Sequence, residues 1–314
     1  MTPFSLVAAA VDPAVAIDAL ELAMLTDIDP ELDGARLFSP LDRGEFLLMP
    51  SGTPRLAGVK VLTVPSGPPQ PGYPKIQGVY VLFDAHTLQP IAVLDGAELT
   101  LARTSAMTAM VLKHLLAASR ATGEWMPGPS SLVVFGSGPQ ALRHIEALRT
   151  VAELSHVTVV GRRAEPVHAL VERCRASGLP ASAGTPREVA GADIVVCTTS
   201  STVPVFDGAL VQPHALVAAV GSHGLDAREI DATLVLRSDI VVEGRASAMR
   251  ESGDLIPARS AAEWAEHPLT NAAELVRGEF VRRPGHPALY TGVGMSWQDL
   301  VVAEAAYLRS LAAV

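Results

Sequence analysis

Residues 131–148, SLVVFGSGPQALRHIEAL, pass from a run of strand-forming apolar residues through two glycines into an amphipathic helical pattern. Gly136 permits a tight turn after the strand, Gly138 keeps a side chain away from an approaching pyrophosphate, and the small Ala141 lets helix and strand pack closely. N–H groups at a helix start attract anions. The loop Gly136, Ser137, Gly138, Pro139, Gln140 and Ala141 therefore reads as a dinucleotide cradle, with an ordinary strand-to-helix turn as the competing reading.

What surrounds this loop agrees with the first reading. SLVVF, HVTVV, DIVVCTT, ALVAAVG and DIVVEG are near-continuous apolar runs, several separated by helical stretches, as expected of parallel strands covered on both faces. The predicted fold class is α/β, with a doubly wound Rossmann sheet in this half. HVTVV runs into Gly161, Arg162 and Arg163, where a site selective for NAD carries an acidic residue for the ribose 2′-hydroxyl. Two guanidinium groups suit a 2′-phosphate instead, so NADP(H) is favoured and NAD(H) kept as possible. Arginines that merely cap a surface loop are the alternative.

The chain of 314 residues suffices for two domains, and 49% hydrophobic against 18% charged residues leaves little room for long disorder. The first half reads differently from the second. Asp12 and Pro13 open a helix over Pro13–Leu25, and short runs from Arg36 to Asp95 (EFLLM, RLAGVKVLTV, GVYVLF, PIAVLD) predict an antiparallel sheet. A helix from Leu101 to about Ala118, N-capped by Thr100, has Leu101, Met107, Val111 and Leu115 among its apolar positions, and TGEWMPGPSS follows as a hinge. The final stretch, ALYTGVGMSWQDLVVAEAAYLRSLAAV, starts extended and ends as a helix suited to packing on the first domain.

Two cations in this first half break local rules. Arg103 falls in the predicted helix's first turn, where the dipole disfavours positive charge, unless it serves a substrate carboxylate or pairs with an aspartate such as Asp84 or Asp95. Lys60 interrupts an apolar strand with Leu56 and Leu62 on its face and Val59 and Val61 on the other. It needs an anionic partner or a lowered pKa, unless it sits on an edge and reaches water.

Several function classes drop out. Net charge is −9, and no basic residue precedes Arg36, so nucleic acid is not an expected partner. The stretch FSLVAAAV is short and lacks a basic flank, so no membrane association is expected. Cys174 and Cys197 stand apart in apolar settings, which fits a reducing cytoplasm. There is no HExxH, GxxxxGK, GxSxG or paired-cysteine spacing, so no metal site is expected.

The blocks ARLFSPLDRGEFLLMPSG, GVKVLTV, DGAELTLARTSAMTA, FGSGPQA, AVGSHGLDAREID and YTGVGMSWQDL, in this order, resemble the ornithine cyclodeaminase/mu-crystallin family. The resemblance implies an α+β substrate-binding and dimerisation domain built from both chain ends (residues 1–119 and 289–314), an NAD(P)-binding domain between (120–288), and a homodimer. It implies that Arg36, Lys60 and Arg103 hold a substrate carboxylate, with Lys60 also the active-site lysine. Thr198, Thr199, Ser200 and Ser201 then run beneath the nicotinamide side, and Val220 and Val293, within the Gly292–Gly294 segment, line the nicotinamide.

At AVGSHGLDAREID the sequence departs from the cyclodeaminases, which carry an aspartate where His223 stands. A histidine near neutral pH can donate or accept a proton, so His223 is the expected proton shuttle, with a loop hydrogen-bonding role as its alternative. Lys75 is placed at the pocket rim. The implied activity is oxidoreduction at the α-carbon of a small amino or imino acid: reduction of a cyclic ketimine such as 1-pyrroline-2-carboxylate. The alternatives are conversion of ornithine to proline plus ammonia with catalytic NAD, and a non-catalytic ligand-binding protein of mu-crystallin type.

Overall fold

The computed structural model describes residues 5–7, 11–26, 28–67, 72–73, 76–123, 125, 128–221, 224–267 and 269–312. They form two compact units, one of residues 1–107 and 295–314, the other of residues 108–294. The predicted hinge at 122–131 includes Glu124, Met126 and Pro127, which lie outside the described residues, and the division falls earlier, within a helix.

The first unit is built on a six-stranded sheet in the order β1-β6-β5-β4-β3-β2. Its strands are β1 (Ser5–Val7), β2 (Leu37–Leu41), β3 (Gly44–Gly52), β4 (Leu56–Pro65), β5 (Gln77–Asp84) and β6 (Pro90–Asp95). β2 to β6 form an antiparallel meander, and β1 adds to β6 in parallel. Alternation along β4 buries Gly58, Lys60 and Leu62 and leaves their neighbours half-exposed. Helix α1 (Pro13–Thr26) starts where expected, with Asp12 accepting from the Ala14 N–H at 2.9 Å.

Helix α2 (Gly96–Ala121) corrects one expectation. Its start is capped by Asp95, which accepts from the N–H groups of Ala97 (2.8 Å) and Glu98 (2.9 Å). Thr100 is already helical and donates its hydroxyl back to the Gly96 carbonyl at 2.7 Å. Arg103 consequently sits in the second turn, away from the N–H groups of the helix start.

The second unit carries an eight-stranded, all-parallel sheet in the order β13-β12-β14-β11-β10-β7-β8-β9. Its strands are β7 (Ser130–Phe135), β8 (Leu154–Val160), β9 (Ala181–Ala183), β10 (Ile194–Cys197), β11 (Leu216–Ala219), β12 (Asp239–Val242), β13 (Thr270–Asn271) and β14 (Ala288–Thr291). The helices are α3 (Pro139–Leu148), α4 (Ala164–Ala176), α5 (Ala232–Arg237), α6 (Arg245–Glu251), α7 (Ala261–Glu266) and α8 (Ala272–Val276). Strand order reverses direction between β7 and β10, the switch point where doubly wound sheets bind ligands.

β14 lies between β11 and β12, fully buried, so residues 289–291 belong to this sheet and not to the end-built domain that the sequence reading assigned them. Helix α9 (Ser296–Ala312) returns to the first unit, where it packs on β3, β4, β5 and α1. Asp33 accepts from the Ser296 N–H at 2.9 Å, joining the start of α9 to the early chain.

Candidate functional site

In the first unit, Lys60 lies between Met49 of β3 and Tyr80 of β5, its direct cross-strand neighbours, and all three are buried. α9 covers this face and supplies Asp299 in its first turn, where the helix dipole favours a carboxylate. Lys60 Nζ stands 2.7 Å from Asp299 Oδ2 and Arg103 Nε 3.4 Å from Asp299 Oδ1. Lys60 is 1% exposed, Asp299 0% and Arg103 8%. Arg103 Nη1 also donates to Gln298 Oε1 at 3.0 Å, its single side-chain hydrogen bond among the described residues.

Two buried cations thus share one carboxylate, and Arg36, half-buried just before β2, adds to the positive field at Lys60. Burial pulls the Lys60 pKa down to about 8, against the raising pull of Asp299, and Arg103 and Arg36 press it further down. The Tyr80 phenol, buried and beside the Asp299 charge, is held well above its usual pKa, and its hydroxyl has no hydrogen-bond partner among the described residues. Charge excess and spare donors equip this cluster to receive a carboxylate. The alternative pairing of Arg103 with Asp84 or Asp95 is not made: Asp84 accepts from the Thr87 N–H and Asp95 caps α2, while Arg103 faces Asp299.

In the second unit, the C-terminal ends of β7, β8 and β10 open into a cavity of about 850 Å³. Gly136, Ser137, Gly138, Arg162, Arg163, Thr198, Thr199 and Ser200 all line it. Gly136 has φ +112°, and a Cβ there would stand 2.6 Å from Thr198 Oγ1, so the turn admits only glycine. Gly138 faces open space, so protein packing does not demand glycine there, whereas close approach of a pyrophosphate does. Arg162 and Arg163 are exposed at the rim, and neither makes an ion pair among the described residues. These residues fit a dinucleotide: a glycine cradle and a helix start for its pyrophosphate, with two guanidinium groups at the rim.

Pro139, Gln140 and Ala141 do not line the cavity; they form the first turn of α3, where Ala141 is buried. Val220 follows β11 and Val293 follows β14, both outside the cavity wall. His223 and Lys75 lie outside the described residues. No group of three His, Cys, Asp or Glu among the described residues could hold a metal ion, and no helix there is long and apolar enough to cross a membrane.

Sequence reasoning missed four residues. Asp299 and Gln298 complete the cation cluster; the signal was the need of Lys60 and Arg103 for an anion, which the first turn of the largely apolar last helix supplies. Glu229 accepts from the N–H groups of Thr199 (2.5 Å) and Gly221 (2.7 Å), and Glu243 from those of Val293 (2.9 Å) and Gly294 (2.6 Å). Both glutamates are buried.

The family model for the ornithine cyclodeaminase/mu-crystallin family matches residues 32–313. A Delta(1)-pyrroline-2-carboxylate reductase of Burkholderia ambifaria is 34% identical over 273 residues, 86% of this chain and 83% of the relative. The structure of a probable ornithine cyclodeaminase from Bordetella pertussis superposes with a TM-score of 0.83 at 27% identity, covering 99% of this chain and 98% of the other. That of Thermococcus litoralis Delta(1)-pyrroline-2-carboxylate reductase, in complex with NADH and L-proline, gives 0.85 at 24% identity and 98% coverage of each, a likeness of fold. The chain belongs to the ornithine cyclodeaminase/mu-crystallin family.

Proposed function

We propose that the chain is an NAD(P)H-dependent imino acid reductase that converts a small cyclic ketimine, such as 1-pyrroline-2-carboxylate, to the L-amino acid. The observation that carries this reading is the buried Lys60–Asp299–Arg103 cluster, whose positive excess calls for an anionic ligand. Curated relatives at 30–34% identity over more than four-fifths of the chain are named as reductases of this substrate, which supports the same choice.

Reduction of a C=N bond needs a hydride at carbon and a proton at nitrogen. A nicotinamide cofactor supplies the hydride when bound. Gly136, Ser137 and Gly138 would hold its pyrophosphate, and Arg162 and Arg163 a ribose 2′-phosphate, so NADPH is the preferred form. Arg103 and Lys60, with Arg36, clamp the substrate carboxylate and orient the α-carbon, and such positioning supplies much of the rate. Asp299 keeps Lys60 charged below pH about 8 and fixes its direction. His223 is assigned the proton for nitrogen.

A homodimer is proposed for the first unit, where edge strand β2 exposes Leu37 (54%), Phe38 (59%) and Leu41 (43%), a surface that strand edges normally keep covered. Two free, buried cysteines suit work in a reducing cytoplasm.

The test follows NADPH absorbance with a panel of cyclic ketimines and with α-keto acids plus ammonia or amines, alongside ammonia release from ornithine with catalytic NAD. NADPH consumption by a ketimine is expected. Ammonia and proline from ornithine would overturn the reductase reading and show that histidine can replace the cyclodeaminase aspartate.

A further inference from the structure

Glu229 lies on the segment after β11 with no exposed surface, and it does not itself line the cofactor pocket. Its contacts converge on the loop that does. That loop, from Thr198 to Val205, supplies Thr198, Thr199, Ser200, Ser201, Val203 and Val205 to the cavity wall.

Glu229 Oε1 accepts from the Thr199 N–H, and the Glu229 carbonyl accepts from the Val205 N–H at 2.9 Å. The adjacent Arg228 N–H donates to the Ser201 carbonyl at 2.8 Å. The second carboxylate oxygen takes the Gly221 N–H, tying the turn after β11 to the same group. There a Cβ would stand 2.0 Å from the Thr199 carbonyl oxygen, so only glycine lets the two loops meet. Asp254 Oδ1 accepts from the N–H groups of Glu229 (2.7 Å) and Ile230 (3.1 Å), securing the anchor from behind.

From this network we infer that Glu229 is a positioning residue for the reductase, shaping the Thr198–Val205 loop around the nicotinamide dinucleotide without touching it. The inference rests on the cofactor reading above. A carboxylate is a costly group to bury for structure alone, and it does here what a neutral side chain cannot, accepting at both oxygens from two loops at once. Glutamine at this position presents an NH2 group to one of the two N–H donors and must release it.

Burial raises the Glu229 pKa to about 7, opposed by its hydrogen bonds from Thr199 and Gly221 and assisted by the Asp254 charge. The titratable groups facing it are Asp254 and the Cys197 thiol, itself held well above its usual value by burial and by these two carboxylates.

The experiment compares NADPH binding and steady-state kinetics of the full chain and its Glu229→Gln variant between pH 6 and 8.5, with folding checked by circular dichroism. The variant is expected to bind NADPH about tenfold more weakly, with the KM for the ketimine within twofold of wild type. The pH dependence of wild-type NADPH affinity near 7 should flatten in the variant. Equal NADPH affinity and equal pH profiles in a folded variant would overturn the inference and leave the cofactor reading standing. Absence of NADPH and NADH binding by wild type would overturn both. Should the variant not fold, amide hydrogen exchange on wild type decides: slow exchange at Thr199 and Gly221, slowed further by NADP⁺, is expected, and rates typical of open loops would refute the assignment.

Discussion

On the proposed reading, the Lys60–Asp299–Arg103 cluster and the pocket at the ends of β7, β8 and β10 would hold anions by opposite means. The cluster uses long charged side chains from a strand and two helices, buried and sharing one counter-charge. The pocket uses backbone and glycine around open space, with the buried Glu229 behind its wall accepting from the N–H groups of two loops. A receptor made of side chains has strength set by charge balance, so removing one member strands another in a medium of low dielectric. A receptor made of backbone has strength set by loop conformation, so distant braces matter as much as the residues that touch the ligand.

The largest test of this contrast is Asp299→Ala, which leaves Lys60 and Arg103 buried side by side. Denaturant unfolding should show a loss of about 3–5 kcal/mol, the range for breaking a buried pair. A loss below 1 kcal/mol would mean the cluster is hydrated and not a buried ion pair.

Arg103→Ala comes next. Truncating one side of a buried charge contact costs about 2–5 kcal/mol of ligand binding, so kcat/KM for a ketimine should fall by roughly 30- to 5,000-fold. NADPH affinity, governed by the other region, should stay within twofold; parallel loss of both would show that Arg103 serves the fold.

Replacing Arg162 and Arg163 together by serine probes the pocket's own charges. NADPH binding should weaken by about tenfold with NADH unchanged, the scale of one lost charge-assisted hydrogen bond. An equal effect on both cofactors would remove the 2′-phosphate assignment.

The last test is in pH. Lys60 titrates near 8 in the fold against 10.5 unpaired, so it is charged below pH 8 and progressively neutral above. The KM for the carboxylate substrate should climb as pH passes 8 while that for NADPH stays level. Because the folded value is depressed, the stabilising contribution is complete above 10.5 and fades as pH falls through 8. Lys60→Met should remove this alkaline rise in stability.

The difference between the regions also explains what could be read in advance. The cradle Gly136 to Ala141 is one continuous segment, and strand, turn and helix report each other over eighteen residues. Lys60 was visible as a charge inside an apolar strand, but its partner was not, because Asp299 comes from the far end of the chain and Gln298 is 195 residues from the arginine it binds. The start of α2 was placed late because Asp95 closes strand β6 and caps the helix at once, leaving no loop to mark the boundary. The place of β14 was hidden for another reason: strand order is set by packing, and nothing local in ALYT says that it enters between β11 and β12.

That insertion, with the return of α9, constrains the order in which the chain can mature on the ribosome. The eight-stranded sheet stays split between β11 and β12 until residues 288–291 emerge, and Lys60 has no counter-ion until Asp299 follows. At typical synthesis rates of about 5–20 residues per second, the roughly 240 residues between Lys60 and Asp299 take on the order of 10–50 seconds. Over that interval the nascent protein presents an uncovered apolar sheet face and an unpaired lysine, a natural client for holding chaperones until translation ends.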